Sequence, residues 1–384
     1  MRSFSILFTI FLVACGGGDS SSSAATTDPT PAPSTQNCNV AVAKGPYSSA
    51  WPGLEWDTAT LASQGMCPDE VDNVIDYAFL EGNETGAIIV IRNGYIVIEE
   101  YSSDRTENDL TTSWSVGKSF TSAIMGIALE DNLINSIDER TGQYFPTWSG
   151  SERENITIRN LMTLTTGLSA DCIGPPNDYT DGGNSIYFSI DQVACALNRE
   201  LEGAVGDKLY GYSNSDVMLA GEIIESTAGI KLEKYLNQKI GVEIGANYEW
   251  WEDAVGNSLG YCCIDATPKD FARFGLLFAR NGNWNGNQLI PNSWVELSTS
   301  SALNGQYGYY WWPMQEYDGF IAIGLHGQMI AIIPEEDLVI LRFSKYERLG
   351  DGSTVRAGTN GHSTSQPLSF DVNSFISRVT ALIR

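Results

Sequence analysis

The spacing of apolar residues changes along the chain from a helical to a strand-like period and back. The stretch Asp69–Leu80 carries apolar residues at helical spacing and predicts an amphipathic helix. In the run that follows, GAIIVIRNGYIVIEEY, two β-branched segments flank Asn93 and Gly94. An Asn-Gly pair between two such segments is the strongest short-range signal for a hairpin. The sequence therefore predicts a helix followed by two antiparallel strands.

A second helix, apolar on nearly all sides, is predicted from Lys118 to about Glu130. The region from about Ile137 to Tyr248 is helical and rich in loops, with one helix expected to end at Gly229. Beyond it, three apolar segments predict three strands: GYYWWPM, GFIAIGL and QMIAIIPEEDLVILRFS. The last stretch, VNSFISRVTALIR, predicts a closing helix.

Two early and three late strands predict an α/β (α+β) fold with one antiparallel five-stranded sheet flanked by helices. A helical domain, about residues 137–254, would be inserted between the two parts of the sheet domain, about 37–136 and 255–384. We expect a ligand at the seam between these parts.

The first 36 residues differ from the rest. Arg2 precedes an apolar run that is too short to span a bilayer and is typical of a signal peptide. The stretch Leu12–Cys15 resembles the lipobox of bacterial lipoproteins, which implies a signal peptide at residues 1–14 and lipidation of Cys15. A plain secretory signal is the alternative. Residues 15–36, rich in Gly, Ser and Pro, predict a flexible tether to a domain at 37–384.

Charge and cysteine content narrow the expected partners and location. A formal charge of −25 argues against nucleic acid and anionic membrane surfaces. We expect an exported protein at the periplasmic or outer-membrane face, which touches the membrane through its lipid alone. An even number of cysteines besides Cys15 suggests disulfides, with buried free thiols as the alternative. The expected pairs are Cys38–Cys67, Cys172–Cys195 and Cys262–Cys263.

Ser115 and Lys118 form a Ser-x-x-Lys pair at the start of the apolar helix. Residues three apart on a helix share a face, about 5–6 Å apart, so the amine can reach the hydroxyl. Burial would lower the pKa of Lys118 towards ~7–8, where an amine can act as a base. A polar helix start with a solvated lysine is the alternative. Two further stretches bear on the choice: Tyr212–Asn214 before a helix, and Leu325–Gln328 in a late strand.

The order Ser-x-x-Lys, Tyr-x-Asn and a late-strand glycine resembles the serine β-lactamase/penicillin-binding-protein superfamily, in its class-C-type branch. Within that branch the chain is similar to 6-aminohexanoate-oligomer hydrolases and family VIII carboxylesterases. The resemblance also covers ITIRNLMTLTTGL, YSNSDVMLAGEIIESTAG and DATPKDFARFGLLFARNGNWNGNQLIPNSWV. It implies a β-lactamase/transpeptidase-like fold and an exported serine hydrolase that cleaves small-molecule esters or amides, with no metal and no organic cofactor.

The resemblance also implies roles for individual residues. Ser115 would form the acyl-enzyme, with Lys118 and Tyr212 moving its proton and Tyr212 activating the deacylating water. The backbone N–H groups of Ser115 and Gln328 would form the oxyanion hole, with Gly327 permitting close approach. Asn214 would bind substrate or orient Lys118.

One departure from the family pattern bears on the substrate. Many relatives carry Lys-Thr-Gly where this chain has Leu325, His326 and Gly327, so no cation at Leu325 meets a substrate carboxylate. That favours ester or amide hydrolysis over a D-amino-acid peptidase or a weak β-lactamase, and His326 is a candidate substrate contact. A non-catalytic lipoprotein that binds cell-wall peptides is a further alternative. Four residues are candidates for an aromatic acyl pocket, with packing at a Trp-rich sheet edge as the alternative: Trp251, Tyr310, Trp311 and Trp312.

A second serine offers a competing nucleophile. Gly256–Gly260 matches the Gly-x-Ser-x-Gly elbow of α/β-hydrolases around Ser258, with His362 as the partner base. An elbow requires a strand before the serine and a helix directly after it. Neither flank predicts these elements.

Overall fold

The computed structural model describes residues 38–45, 49–169, 185–206, 211–302, 307–348 and 362–384. The predicted signal peptide, the lipobox with Cys15 and the tether lie outside these ranges. Cys172 lies outside them too, and with it the predicted Cys172–Cys195 pair.

The helices and strands of the described residues are numbered in chain order. The α-helices are α1 (Val71–Ala78), α2 (Gly117–Glu130), α3 (Ile158–Met162), α4 (Gln192–Leu197), α5 (Asn214–Ala228), α6 (Leu232–Leu236), α7 (Val242–Ile244), α8 (Pro268–Ala279), α9 (Asn292–Thr299) and α10 (Val372–Thr380). The strands are β1 (Thr85–Arg92), β2 (Tyr95–Tyr101), β3 (Thr111–Thr112), β4 (Glu249–Trp250), β5 (Ile264–Ala266), β6 (Asn283–Trp284), β7 (Asn287–Gln288), β8 (Trp312–Met314), β9 (Gly319–Gly324), β10 (Gln328–Ile333), β11 (Leu338–Ser344), β12 (Tyr346–Arg348) and β13 (His362–Thr364).

The main sheet is antiparallel and has the strand order β2-β1-β11-β10-β9-β8. The predicted hairpin forms at Asn93 and Gly94, and the antiparallel α+β architecture is confirmed. The predicted number of five strands is wrong, because the last apolar segment folds into two strands. Pro334–Glu336 forms a 3₁₀ turn between them, and Asp337 adopts φ 42°. A proline has no N–H to give to a strand ladder, so the segment turns back at this point.

Helices cover both faces of this sheet. Along β1, Ile88 and Val90 pack in one core with side chains of α1 and α10, while Ile89 and Ile91 face a larger core that includes α2 and α8. Successive strand residues point to opposite faces, and every residue of β1 is buried. The continuous apolar pattern of this strand therefore reflects its position inside a two-sided core.

The middle of the chain supplies helices α3 to α7, which lie in sequence between the two groups of sheet strands. As predicted, α5 ends at Gly229, which has φ 68°. Two of the expected disulfides, Cys38–Cys67 and Cys262–Cys263, are present. Within the described ranges, no helix combines the length and the apolar character needed to cross a membrane.

Candidate active site

Ser115 lies in a 3₁₀ turn, Trp114–Val116, that leads directly into α2. The turn is anchored from the preceding residue: the Ser113 N–H donates to the Ile264 carbonyl, and the Ile264 N–H donates to the Ser113 hydroxyl, each at 2.8 Å. Trp114 adopts φ 44°, a left-handed conformation that few large residues occupy. The start of α2 is therefore fastened to β5, and Ser115 is presented at a defined position.

Lys118 is the most constrained side chain of the site. It is 1% exposed, and its Nζ lies within hydrogen-bond distance of Ser115 Oγ at 3.0 Å, of Asn214 Oδ1 at 2.7 Å and of the Tyr261 carbonyl oxygen at 2.8 Å. Burial lowers the pKa of Lys118 well below its usual range. Because the ammonium form is disfavoured in this environment, the geometry suits a neutral amine that can accept a proton.

Tyr212 and Asn214 come from the N-terminus of α5. The Ser213 hydroxyl between them caps this helix by accepting from the Asp216 N–H at 3.2 Å, and the same hydroxyl accepts from Arg199. Arg199 also forms a fully buried ion pair with Asp216 at 2.6 Å. This cluster fixes the turn that carries the two site residues.

The Tyr212 ring lies beside the amine, with Lys118 Nζ 4.8 Å from the ring centroid. Desolvation raises the pKa of Tyr212 to about 12, and a hydrogen bond with Ser115 acts in the opposite direction. The residue nevertheless remains 42% exposed. The structure thus brings Ser115, Lys118, Tyr212 and Asn214 together around one amine and one hydroxyl.

Gly327 and Gln328 lie in the turn and the strand that follow β9. Gln328 begins β10, where its buried side chain accepts from the Ser344 N–H at 2.8 Å, and its backbone pairs with Gly324. Gly327 lies in the turn Leu325–Gly327 at φ 76°. The residue beside Ser115 is Gly324, since a Cβ added there would lie 3.1 Å from the Ser115 nitrogen. The sequence signal for Gly324 was a glycine ending an apolar strand, which the prediction passed over.

His326 lies near the site through Trp114, against which its ring packs edge-on at a centroid distance of 5.7 Å. Its backbone has φ 64°, and Arg342 holds the turn by donating to its carbonyl at 2.7 Å. Desolvation lowers the pKa of His326, and the nearby Arg342 charge adds to the shift. A neutral imidazole therefore faces the indole next to the nucleophile.

Aromatic side chains surround the site, although not all of the expected ones. Trp312 stacks on Tyr212 with a centroid distance of 6.4 Å, and Trp251 packs edge-on against Trp114 at 6.1 Å. Trp251, Tyr310 and Trp311 are 2%, 2% and 0% exposed and belong to one core cluster. For Tyr310 and Trp311 the packing alternative holds, since the Tyr310 hydroxyl donates to the Leu161 carbonyl inside the core and Trp311 packs against Phe278.

Tyr187 is a site residue that the sequence reasoning missed. Its hydroxyl accepts from Asn214 Nδ2 at 3.4 Å, and its ring packs edge-on against Tyr261 at a centroid distance of 5.2 Å. No motif surrounds this tyrosine, so only the folding of its loop next to α5 could reveal it.

The alternative nucleophile does not meet the requirements of an elbow. Ser258 is 5% exposed and lies in an isolated bridge with Glu252, and the next regular element is the short strand β5. His362 lies in β13, which pairs with β12. The elbow interpretation is therefore rejected.

Comparison with known proteins agrees with this geometry. The family model described as beta-lactamase matches residues 78–357. The chain belongs to the beta-lactamase family. The chain is 23% identical over 295 residues to the 6-aminohexanoate-dimer hydrolase of Paenarthrobacter ureafaciens. The match covers 70% of this chain and 74% of that protein.

Solved structures share the fold of this beta-lactamase family member. A penicillin-binding protein homologue from Caulobacter crescentus superposes with a TM-score of 0.61 at 15% identity, covering 83% of this chain and 98% of the other. A class C beta-lactamase from Rhodobacter sphaeroides superposes with a TM-score of 0.57 at 15% identity, covering 82% of this chain and 98% of the other. These structures show the fold, and the family match identifies the chain as a serine hydrolase of the β-lactamase/penicillin-binding-protein type.

Proposed function

We propose that this protein is an exported serine hydrolase that cleaves ester or amide bonds of small molecules through an acyl-enzyme on Ser115. One observation carries the proposal: the buried amine of Lys118 contacts the Ser115 hydroxyl and two carbonyl oxygens. A solvated lysine at a helix start would have no such set of partners.

The contacts of Lys118 suit proton abstraction. A neutral amine has two N–H donors and one lone pair. When Asn214 Oδ1 and the Tyr261 carbonyl accept the two N–H groups, the lone pair faces Ser115 Oγ at 3.0 Å. That separation is within the range required of a general base. Lys118 then takes the proton of Ser115 as the hydroxyl attacks the substrate carbonyl carbon.

The developing oxyanion requires backbone donors close to Ser115. The Ser115 N–H is one. The edge of β9 is a second source, since β8 pairs with β9 only as far as Ile321, and Gly324 lies against the Ser115 nitrogen. Two donors from rigid backbone stabilise negative charge without reorganisation during the reaction. Gln328, whose backbone N–H was the predicted donor, pairs with Gly324 across the neighbouring strand β10.

Gly324→Ala is expected to lower kcat by about 10²-fold, the usual cost of a damaged oxyanion hole. The added Cβ would lie 2.5 Å from the Ser113 carbonyl oxygen and 3.1 Å from the Ser115 nitrogen. Steady-state kinetics and a thermal melt would separate this effect from unfolding. Gly203→Ala is the matched control, because a Cβ there meets no atom within 4 Å. Equal kcat for both variants would argue against an oxyanion hole at this strand end.

Tyr212 is protonated, because desolvation raises its pKa to about 12, and it is positioned to relay protons between Lys118 and the reacting atoms. In acylation it gives its proton to the leaving group and takes the one that Lys118 received from Ser115. In deacylation it takes a proton from the attacking water while its own proton moves to Lys118. Tyr212→Phe keeps the ring over the amine and removes the hydroxyl that bonds to Ser115. We expect kcat to fall about 10²- to 10⁴-fold, the typical range for a lost acid–base group, with little change in KM. Tyr95→Phe in β2, at the opposite edge of the sheet from β8, is the control. Unchanged kcat in Tyr212→Phe would exclude this role.

Two features support the proposed substrate class. Leu325 supplies no cation for a carboxylate, and a relative at 23% identity is named for hydrolysis of a 6-aminohexanoate dimer, a linear amide. A screen should compare p-nitrophenyl esters, linear amide dimers, a β-lactam and a D-alanyl-D-alanine peptide, with Ser115 labelling by a fluorophosphonate followed by peptide mass spectrometry. Turnover of esters or linear amides is the expected result. Absence of label on Ser115 together with no turnover would favour the peptide-binding alternative.

Export is proposed on the signal-like first residues and on the disulfides. Cys38–Cys67 and Cys262–Cys263 are bonded, and disulfides persist mainly in oxidising compartments. We further propose that Cys15 carries a lipid that tethers the domain to a membrane.

A further inference from the structure

The disulfide between neighbouring residues, Cys262–Cys263, packs directly against the start of the nucleophile helix. Both cysteines are buried, at 0% and 1% exposure. A Cβ added to Gly117, which lies between Ser115 and Lys118 in sequence, would be 3.0 Å from the Cys262 carbonyl carbon and 3.1 Å from its Cα. The turn that contains the disulfide is thus in van der Waals contact with the catalytic turn.

The backbone carbonyls of residues 261–264 each accept a hydrogen bond. The Tyr261 carbonyl accepts from Lys118 Nζ at 2.8 Å, and the Ile264 carbonyl accepts from the Ser113 N–H at 2.8 Å. Between them, the Cys262 carbonyl accepts from Trp250 Nε1 at 2.7 Å, and the Cys263 carbonyl from the Trp251 N–H at 2.9 Å. The turn therefore connects two parts of the structure. On one side it binds the Lys118 amine and the residue before the Ser115 turn, and on the other it binds Trp250 of β4 and Trp251.

The backbone at Cys263 requires a constraint to keep this arrangement. Its φ is 138°, a conformation that residues other than glycine rarely adopt and that costs free energy. Bonding to the adjacent cysteine closes a small ring that includes the peptide bond between them. Such a ring leaves the two residues far less backbone freedom than an open chain, so the unfavourable conformation persists.

We propose that the Cys262–Cys263 disulfide is a positioning element that holds the Tyr261 carbonyl against the Lys118 amine and so directs the lysine lone pair to Ser115. The inference rests on the proposed function of Ser115 and Lys118. Without the bond, Cys263 relaxes towards ordinary backbone conformations, and the Tyr261 carbonyl moves with it. The amine then loses one of the two acceptors that orient it.

The test compares the wild-type chain with two double variants. Cys262→Ala/Cys263→Ala is called the Ala–Ala variant, and Cys262→Ala/Cys263→Gly the Ala–Gly variant. Glycine adopts a φ of 138° without a cross-link, whereas alanine does not. We expect the Ala–Ala variant to lose about 10- to 100-fold in kcat and in the rate of Ser115 labelling by a fluorophosphonate, as misplaced catalytic groups do. The Ala–Gly variant should lose less but still several-fold, because glycine permits this backbone conformation without holding it. KM should change little, and the acidic limb of the pH–rate profile should move to higher pH as water reaches the amine.

Cys38→Ala/Cys67→Ala is the matched control, since it removes a disulfide that ties the chain before α1 and should lower the melting temperature without changing kcat. A folded Ala–Ala variant with wild-type kcat and pH profile would overturn the positioning role alone. If the Ala–Ala variant does not fold, wild-type rates in the Ala–Gly variant would overturn it. A wild-type chain that fluorophosphonate does not label at Ser115 would instead reject the proposed function, and the positioning role with it.

Discussion

Ser115→Ala is expected to abolish hydrolysis, with kcat/KM falling by about 10⁴-fold or more, as loss of the nucleophile does in other serine hydrolases. In the described part of the site, the hydroxyl that contacts the Lys118 amine is that of Ser115, at 3.0 Å. Residual activity would come from direct attack of water on a substrate carbonyl whose oxygen is stabilised by the oxyanion donors. The measurement is turnover of the best ester or amide substrate from the screen, with circular dichroism to verify the fold.

Ser119→Ala is the matched control for this variant. Ser119 lies one turn further along α2, and its hydroxyl donates to the Tyr310 carbonyl at 2.8 Å rather than facing the site. Its replacement should lower stability while preserving the labelling of Ser115. If Ser115→Ala kept most of the wild-type activity, the acyl-enzyme mechanism would have to be abandoned.

Lys118→Ala is expected to lower kcat by about 10³-fold or more, within the range observed when a general base and its orienting contacts are both removed. Lys118→Arg tests protonation separately from size, because a guanidinium keeps its proton at any accessible pH. It should be as inactive as the alanine variant. Substantial activity in Lys118→Arg would exclude the lysine as the base.

The pH dependence follows from the lowered pKa of Lys118. Only the neutral amine accepts the serine proton, so kcat should rise with pH through the lowered pKa and be lost as the pH falls below it. The folded chain holds the amine neutral at pH values where the unfolded chain, with a lysine pKa of about 10.4, binds a proton. Unfolding therefore takes up a proton. The free energy of unfolding should increase with pH from the lowered pKa of the folded chain up to about pH 10.4. Lys118→Ala should abolish the rise in kcat and reduce the rise in stability by the contribution of this one amine, which pH-resolved kinetics and denaturant titrations would measure.

Local patterns determined much of the fold. The Asn93-Gly94 hairpin, the end of α5 at Gly229 and the apolar helix α2 follow from neighbouring residues, since a turn type or a helical period needs only a few consecutive positions. The sixth strand was missed because the two apolar segments on either side of residues 334–337 were counted as one strand, although the proline and the three acidic residues there mark a turn.

The sequence by itself also determined the candidate nucleophile and base, because residues 115 and 118 are held three apart by the helical geometry of one segment. Only the tertiary structure decided which partners from other segments surround them. The Tyr261 carbonyl that orients Lys118, the Gly324 backbone beside Ser115 and the Tyr187 hydroxyl on Asn214 all come from distant parts of the chain. Backbone groups are chemically the same at every position and leave no mark in a motif. Their selection depends on how β5, β9 and α5 pack around the start of α2, and that packing is a property of the whole core.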